Sequence, residues 1–505
     1  MSQENGERSG SAQDRLFELW GEVVDLGSAM AVLQWDQETQ MPTKGQESRG
    51  KQLATLAGIH HAKMTDPALA DALDAAAEEA GEDPEAAAQV REARRSVDRA
   101  SKVPAALAKD LAEAESNGLA SWQEARAASD FSLFRDSLVE LVALQKERAG
   151  HLAGDGSPYD ALLDIHEPGT TEAQLAPIFA QLKEGLGALL DRVRGSGSAP
   201  SEAPVQGDFP EQSQLAFSRE IVDAMGYDID AGRIDLATHP FCTGFSNRDV
   251  RITWRFQKDD LRPALFGLMH EAGHALYEQG LADADQRTPL GTAVGLGMHE
   301  SQSRLWENLV GRSREFWEWA LPVFHRHFPD KAGVGVDDIW PALHLARPGF
   351  IRVEADEATY DLHVLLRFEV ERKLFSGGVE VDELPDLWDA TSEELLGVRP
   401  PDPAKGVLQD IHWAMGAYGY FPTYTLGNLV ASQLWEAAAG ELDLSAQVAA
   451  GEFAPLREWL RDKVHRHGSR FSTSELVERA TGKPLSPGPF LARVTSVTEA
   501  AYGVA

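Results

Sequence analysis

Apolar residues recur at three- and four-residue intervals through most of the chain, in stretches rich in Ala, Leu and Glu, and this period predicts a mainly α-helical protein. A first helix is expected over residues 13–38, stopping near Met41-Pro42 because proline disfavours helix in the residue before it. Residues 65–118 read as further helices with solvated charged faces. The run RGSGSAPSEAP within residues 194–210 marks a loop or lobe junction, and other breaks are expected at 154–158, 328–338 and 398–406. No internal repeat is visible. The expected organisation is a flexible tail over residues 1–12 and one helical domain over 13–505, made of two lobes around a groove.

One stretch changes period. Val250, Ile252, Trp254 and Phe256 alternate with Asp249, Arg251, Thr253 and Arg255, which predicts a strand. It is expected at the edge of a small sheet, where an extended peptide could add as another strand, or in a hairpin covering the core. A helix follows: Asp259 or Asp260 can cap it, Pro263 suits its first turn, Leu265, Leu268, Met269, Leu276 and Tyr277 supply apolar positions, and Gly280 ends it.

That helix contains His270-Glu271-Ala272-Gly273-His274. Positions i and i+4 differ by about 40° and one turn, so both imidazoles can reach one ion. Glu271 projects beside it, where a carboxylate can take a proton from the attacking water, and the pattern predicts zinc-dependent peptide hydrolysis. A catalytic zinc takes three protein ligands. The pattern with a third His six residues beyond the second is excluded, since Gly280 stands there. A glutamate from the next helix is the alternative, brought back by the Gly-rich residues 291–297: Glu300 is the first choice, with Glu307 and Glu278 behind it. His299 suits a supporting place, because a fourth ligand would close the water position.

Composition narrows the setting. The chain has 505 residues, 43% of them apolar, enough for a large core. Basic residues number 47 against 80 acidic, a net charge of −33, which argues against nucleic acid or an anionic membrane as partner. A single cysteine, Cys242, excludes an internal disulfide and points to a reducing compartment. With no apolar leader at the N-terminus and no stretch of membrane-span length, a cytoplasmic location is expected.

Six motifs occur in order: His239-Pro240-Phe241, Asp249-Val250-Arg251-Ile252-Thr253, the His270–His274 pattern, His299-Glu300-Ser301-Gln302, Ile351-Arg352-Val353-Glu354-Ala355-Asp356, and Gly406-Val407-Leu408-Gln409-Asp410-Ile411-His412-Trp413. With Trp35-Asp36 and Met41-Pro42 near the start, they make the chain resemble the carboxypeptidase Taq family of metallocarboxypeptidases. The resemblance implies a helical, gluzincin-type metallopeptidase with a deep groove and a small β-sheet beside the active site. It supports Glu300 as third ligand to zinc, with cobalt or manganese as possible substitutes, and implies a homodimer acting on peptides with a free C-terminus.

Other roles follow from the reaction. Glu271 would pass its proton to the leaving amine, and His412 and Tyr420 are candidate donors to the oxyanion, with Tyr424 a lesser one; similarity to related helical metallopeptidases favours Tyr420. A free substrate carboxylate calls for the fork of an arginine. The motif favours Arg352 and the strand offers Arg251; residues 349–375 read as one helix, which would also allow a surface pair between Arg352 and Asp356 one turn on. Cys242 and His239 are expected to shape the loop before the strand. An endo-acting zinc oligopeptidase and a noncatalytic helical peptide-binding protein are the competing functions.

Overall fold

The computed structural model describes residues 11–154, 156–197 and 199–504; the expected tail therefore lies outside the described residues for positions 1–10. Ser11 and Ala12 belong to structure instead. Ser11 Oγ accepts from Asp14 N at 3.0 Å while the Asp14 carboxylate accepts from Ser11 N, a reciprocal cap that starts α1 (Ala12–Thr39). Helices α2 (Gln46–Met64), α3 (Pro67–Ala80), α4 (Pro84–Lys102), α5 (Ala105–Ala128) and α6 (Ser132–Ala153) follow. Asp66 and Asp83 cap α3 and α4 immediately before a first-turn proline. Next come α7 (Pro158–His166), α8 (Glu172–Gly195) and α9 (Glu211–Met225), so the expected junction between residues 194 and 210 separates α8 from α9.

A three-stranded sheet precedes α10 (Arg262–Gly280). Its order is β1 (Gly232–Leu236), β3 (Asp249–Trp254), β2 (Cys242–Ser246), with β1 parallel and β2 antiparallel to β3. The alternating segment is thus the central strand, which corrects the expectation of an edge. Both of its sides are occupied: Gly232 stands opposite Val250 on one, Cys242 opposite Ile252 on the other. Val250, Ile252 and Trp254 are buried in the core shared with α10. The edges are β1 and β2.

The remaining helices are α11 (Leu296–Arg304), continued by a π-helical turn Leu305–Val310, α12 (Arg314–His327), α13 (Val336–Ala342), α14 (Glu357–Phe375), α15 (Leu384–Leu396), α16 (Pro422–Glu441), α17 (Leu444–Ala450), α18 (Ala454–Lys463), α19 (Thr473–Thr481) and α20 (Gly488–Tyr502). Two large apolar cores result. One unites the sheet with α9, α10 and α12, among others; the second gathers α5 to α8, α14, α15 and α20. Helix α16 feeds both, with Leu426 and Leu429 in the second and Val430, Ala431 and Leu434 in the first. A small third core joins α1, α3 and α4 through Leu16, Trp20 and Leu73. No helix among the described residues is long and apolar enough to cross a membrane.

Candidate metal centre and substrate cluster

The cap of α10 is Leu261, without a side-chain cap, and not Asp259 or Asp260 as expected; Asp260 Oδ1, one residue earlier, accepts from Arg262 N at 2.9 Å, and Pro263 fills the first turn. One turn separates His270 from His274, whose rings lie 4.9 Å apart edge to face. Their Nε2 atoms stand 3.7 and 3.5 Å from Glu300 Oε2 on α11. One ligand atom from each of the three falls within 4.8 Å of the others, room for a single ion between them.

Two glycines bring α11 this close. A Cβ at Gly273 would lie 2.6 Å from Gln302 O and Ser303 Cα, so the second spacer of the motif is the contact face of α10 against α11. A Cβ at Gly427 on α16 would lie 2.5 Å from Glu300 Cγ. Glu300 is thereby held between two helix backbones.

The donor set suits a divalent cation. Burial acts to raise the Glu300 carboxyl, but Arg304 and His270 outweigh it and hold the group well below the usual range. Burial pushes His274 down to about 3, and the neighbouring His299 acts the same way, leaving a neutral imidazole. Around His270 burial acts downward, yet Glu300 and Glu307 raise the group, a measure of the negative charge gathered there. Burial pushes Glu271 up to about 7, opposed by His270 and reinforced by Glu300; a cation held by its neighbours would draw that value down.

The two other glutamates weighed as ligands take a different place. Glu307 Oε2 lies 2.9 Å from His270 Nδ1, on the π-helical turn that follows α11. Glu278 Oε1 lies 2.8 Å from His299 Nε2, whose Nδ1 is 2.6 Å from His274 Nδ1. Each histidine of the pattern is held from behind. Arg304, not anticipated from the sequence, donates from Nε to Glu300 Oε1 at 2.7 Å and from Nη1 to Glu307 Oε2 at 3.4 Å. Its position four residues after Glu300 and three before Glu307 was the available signal.

A second polar cluster surrounds Arg352. Residues 349–356 do not join α14: Arg352 sits in a 3₁₀ turn, Arg352–Glu354, and Asp356 caps α14 by accepting from Thr359 N at 3.0 Å. That cap excludes the expected Arg352 to Asp356 pair. Arg352 instead donates to Asp410 Oδ1 at 2.8 Å and to Tyr360 OH at 2.9 Å, with 5% of its side chain exposed. The same carboxylate accepts from Arg367 Nε at 2.6 Å. Two buried guanidinium groups therefore share one carboxylate, which they hold far below its ordinary range against the upward pull of burial.

Tyr360 joins the two halves: Arg304 lies 4.6 Å over its ring and Arg352 binds its hydroxyl. His412, Tyr420 and Tyr424 close the cluster. The His412 and Tyr420 rings are 5.2 Å apart, and His412 Nε2 is 3.4 Å from Tyr424 OH. Burial chiefly, then the Glu300 charge, raises the Tyr420 hydroxyl, which stays protonated. Burial pushes His412 down to about 4, so it is neutral at neutral pH.

The family model for carboxypeptidase Taq (M32) metallopeptidases matches residues 15–497. The chain belongs to the M32 family. Among M32 relatives, thermostable carboxypeptidase 1 of Thermus thermophilus is 45% identical, covering 98% of this chain and 99% of that protein. Carboxypeptidase 1 of Bacillus subtilis is 37% identical over 94% and 95%. The crystal structure of the M32 carboxypeptidase from Deinococcus radiodurans R1 superposes with a TM-score of 0.95 at 40% identity, covering 98% of this chain and all of that one. M32 membership makes this chain a metallocarboxypeptidase, and Arg251 is turned away from α10 and its histidines. Arg251 pairs with Asp249 at 2.8 Å and stacks 4.2 Å over Trp35 of α1, whereas Val250 and Ile252, on the opposite face of β3, meet α10. Trp35 and Arg251 are thus one packing unit, although they came from two separate motifs. Cys242 opens β2 with its thiol buried near Glu271 and Glu278, which raise its pKa further after burial has done so; it stays a thiol.

Proposed function

We propose that this enzyme removes single residues from the C-terminus of peptides, using Glu271 as general base and Arg352 as anchor for the terminal carboxylate. The observation that carries this reading is the charge of the second cluster: among the described residues Arg352 and Arg367 pair with one carboxylate, Asp410, so a buried positive charge is left over, linked to Glu300 through Tyr360 and Arg304. A substrate carboxylate supplies the missing anion. A divalent ion, in our reading zinc with cobalt or manganese able to replace it, would be held by His270, His274 and Glu300 and would supply Lewis acidity to the attacking water and the scissile carbonyl.

This chain's own groups then divide the proton and charge work. Glu271, buried and next to the ligand His270, takes the proton of the attacking water and later delivers it to the leaving nitrogen. Tyr420 keeps a protonated hydroxyl and His412 a neutral ring, so both can donate to developing negative charge without first losing a proton. Buried Tyr360 fixes the distance between the two ends of the site through Arg304 and Arg352. An extended substrate could add to the sheet at β2, an edge strand whose first residue, Cys242, lies within the field of Glu271.

We read the two large cores as the lobes of one peptidase domain with the groove between them. We further read the protein as a cytoplasmic homodimer, on the single cysteine and the family resemblance; light scattering on the purified protein tests the dimer. Paired peptides with free and amidated C-termini test the activity, each with and without chelator. Stepwise loss of terminal residues from the free acid alone, abolished by chelation, is expected. Equal cleavage of the amide would favour an endo-acting oligopeptidase.

A further inference from the structure

His270 and His274 are not supported alike. His270 Nδ1 reaches a carboxylate directly, at 2.9 Å from Glu307 Oε2. His274 Nδ1 reaches one only through a second imidazole: 2.6 Å to His299 Nδ1, then 2.8 Å from His299 Nε2 to Glu278 Oε1. A cation held between His270, His274 and Glu300 would take the lone pair of His274 Nε2, so the proton of that ring would stand on Nδ1. It donates to His299 Nδ1, which must then be bare. His299 accordingly carries its proton on Nε2 and donates it to Glu278. Every position in the chain is determined, and no group is left unsatisfied.

Packing holds His299 in that orientation. Its ring lies 4.5 Å from that of His274 at 30° and 5.4 Å from that of fully buried Tyr277 at 37°. Glu278 lies against the sheet, since a Cβ at Gly244 of β2 would stand 3.3 Å from Glu278 Oε2. The relay runs from Glu278, beside β2, through His299 to His274.

We propose that His299 and Glu278 are positioning residues that fix the ring and tautomer of His274, and through it the affinity and geometry of the bound metal. This rests on His270, His274 and Glu300 being the ligands. Outer partners of this kind are worth roughly ten- to a hundredfold in metal affinity. His299→Phe keeps the ring packing against Tyr277 and removes the acceptor for His274 Nδ1. It is expected to weaken zinc binding, measured by chelator competition on the full chain, roughly ten- to a hundredfold, and to shift the visible absorption of the cobalt-loaded protein. Glu278→Leu should show a loss in the same direction, which Glu278→Gln largely recovers because an amide oxygen still accepts from His299 Nε2. Should His299→Phe fail to fold, the Glu278 pair decides alone. Affinity within about threefold of wild type and an unchanged cobalt spectrum in both His299→Phe and Glu278→Leu would overturn the proposal. His274→Ala separates this from failure of the ligand set: if it too binds zinc normally, the ligand assignment is wrong.

Discussion

Gly427→Ala tests the placement of Glu300 more sharply than a change at Glu300 itself. The new Cβ would stand 2.5 Å from Glu300 Cγ and 2.7 Å from its Cβ, about 1 Å inside ordinary carbon contact. Neither side yields easily: Leu426 and Asn428 flank position 427 in the buried face of α16, and Glu300 Oε1 is tied to Arg304 at 2.7 Å. The α11 backbone or the Glu300 side chain must move by several tenths of an ångström, whereas metal–ligand distances tolerate about 0.2 Å. Overpacking of this kind costs about 1–3 kcal/mol, so zinc affinity is expected to fall roughly ten- to a hundredfold. Chelator competition measures it. Gly440→Ala, in the last turn of the same helix with no atom within 4 Å of the added carbon, is the reference. It should bind zinc normally and gain up to about 1 kcal/mol of stability from helix propensity. Equal zinc affinity in the two variants would refute the view that α16 positions the third ligand.

Glu271→Gln should lower kcat by about 10²–10⁴ while zinc content by metal analysis stays unchanged; loss of the metal would make Glu271 a structural residue instead. Arg352→Lys is expected to cut kcat/KM on free-acid peptides by roughly ten- to a hundredfold with little change on amidated ones, since it loses the fork that faces Asp410 and Tyr360. Asp410→Asn leaves two guanidinium groups buried without an anion and should destabilise by about 3–5 kcal/mol in a denaturant titration; a cost below 1 kcal/mol would remove the surplus-charge account. Burial pushes Glu371 up to about 7, despite bonds from Trp413 Nε1, Gly419 N and Tyr159 OH. Its folded-state value thus exceeds the unfolded one, so its contribution is complete below about pH 4.5 and is lost as pH rises through 7. Glu371→Gln should flatten that fall, by roughly 3 kcal/mol across the window, and an unchanged slope would show that the proton is not taken up there.

The parts of the site built on local spacing were legible. His270 and His274 share a helix face by period alone, and apolar Val250, Ile252 and Trp254 mark a strand by alternation. What stayed hidden was set by packing between distant segments. Sequence position ranks Glu300 ahead of Glu307 and Glu278 without excluding either; the close contacts at Gly273 and Gly427 seat Glu300 between the histidines and leave the others behind them. Spacing suggested an Arg352 to Asp356 pair, but Asp356 is consumed as a helix cap and the partner, Asp410, lies 58 residues on. Centre and edge of the sheet could not be told apart because β1 and β2 are only five residues long and carry glycine and polar side chains.

Helix α16 donates one face to each large core and lays Gly427 against Glu300 where the two meet. An ion gripped from α10 and α11 would therefore tie together two helices of the first core, at the point where that core meets the second. Stripping it should weaken the first core and leave the second untouched, so a calorimetric trace that is a single peak in the loaded enzyme is expected to broaden or split in the stripped one.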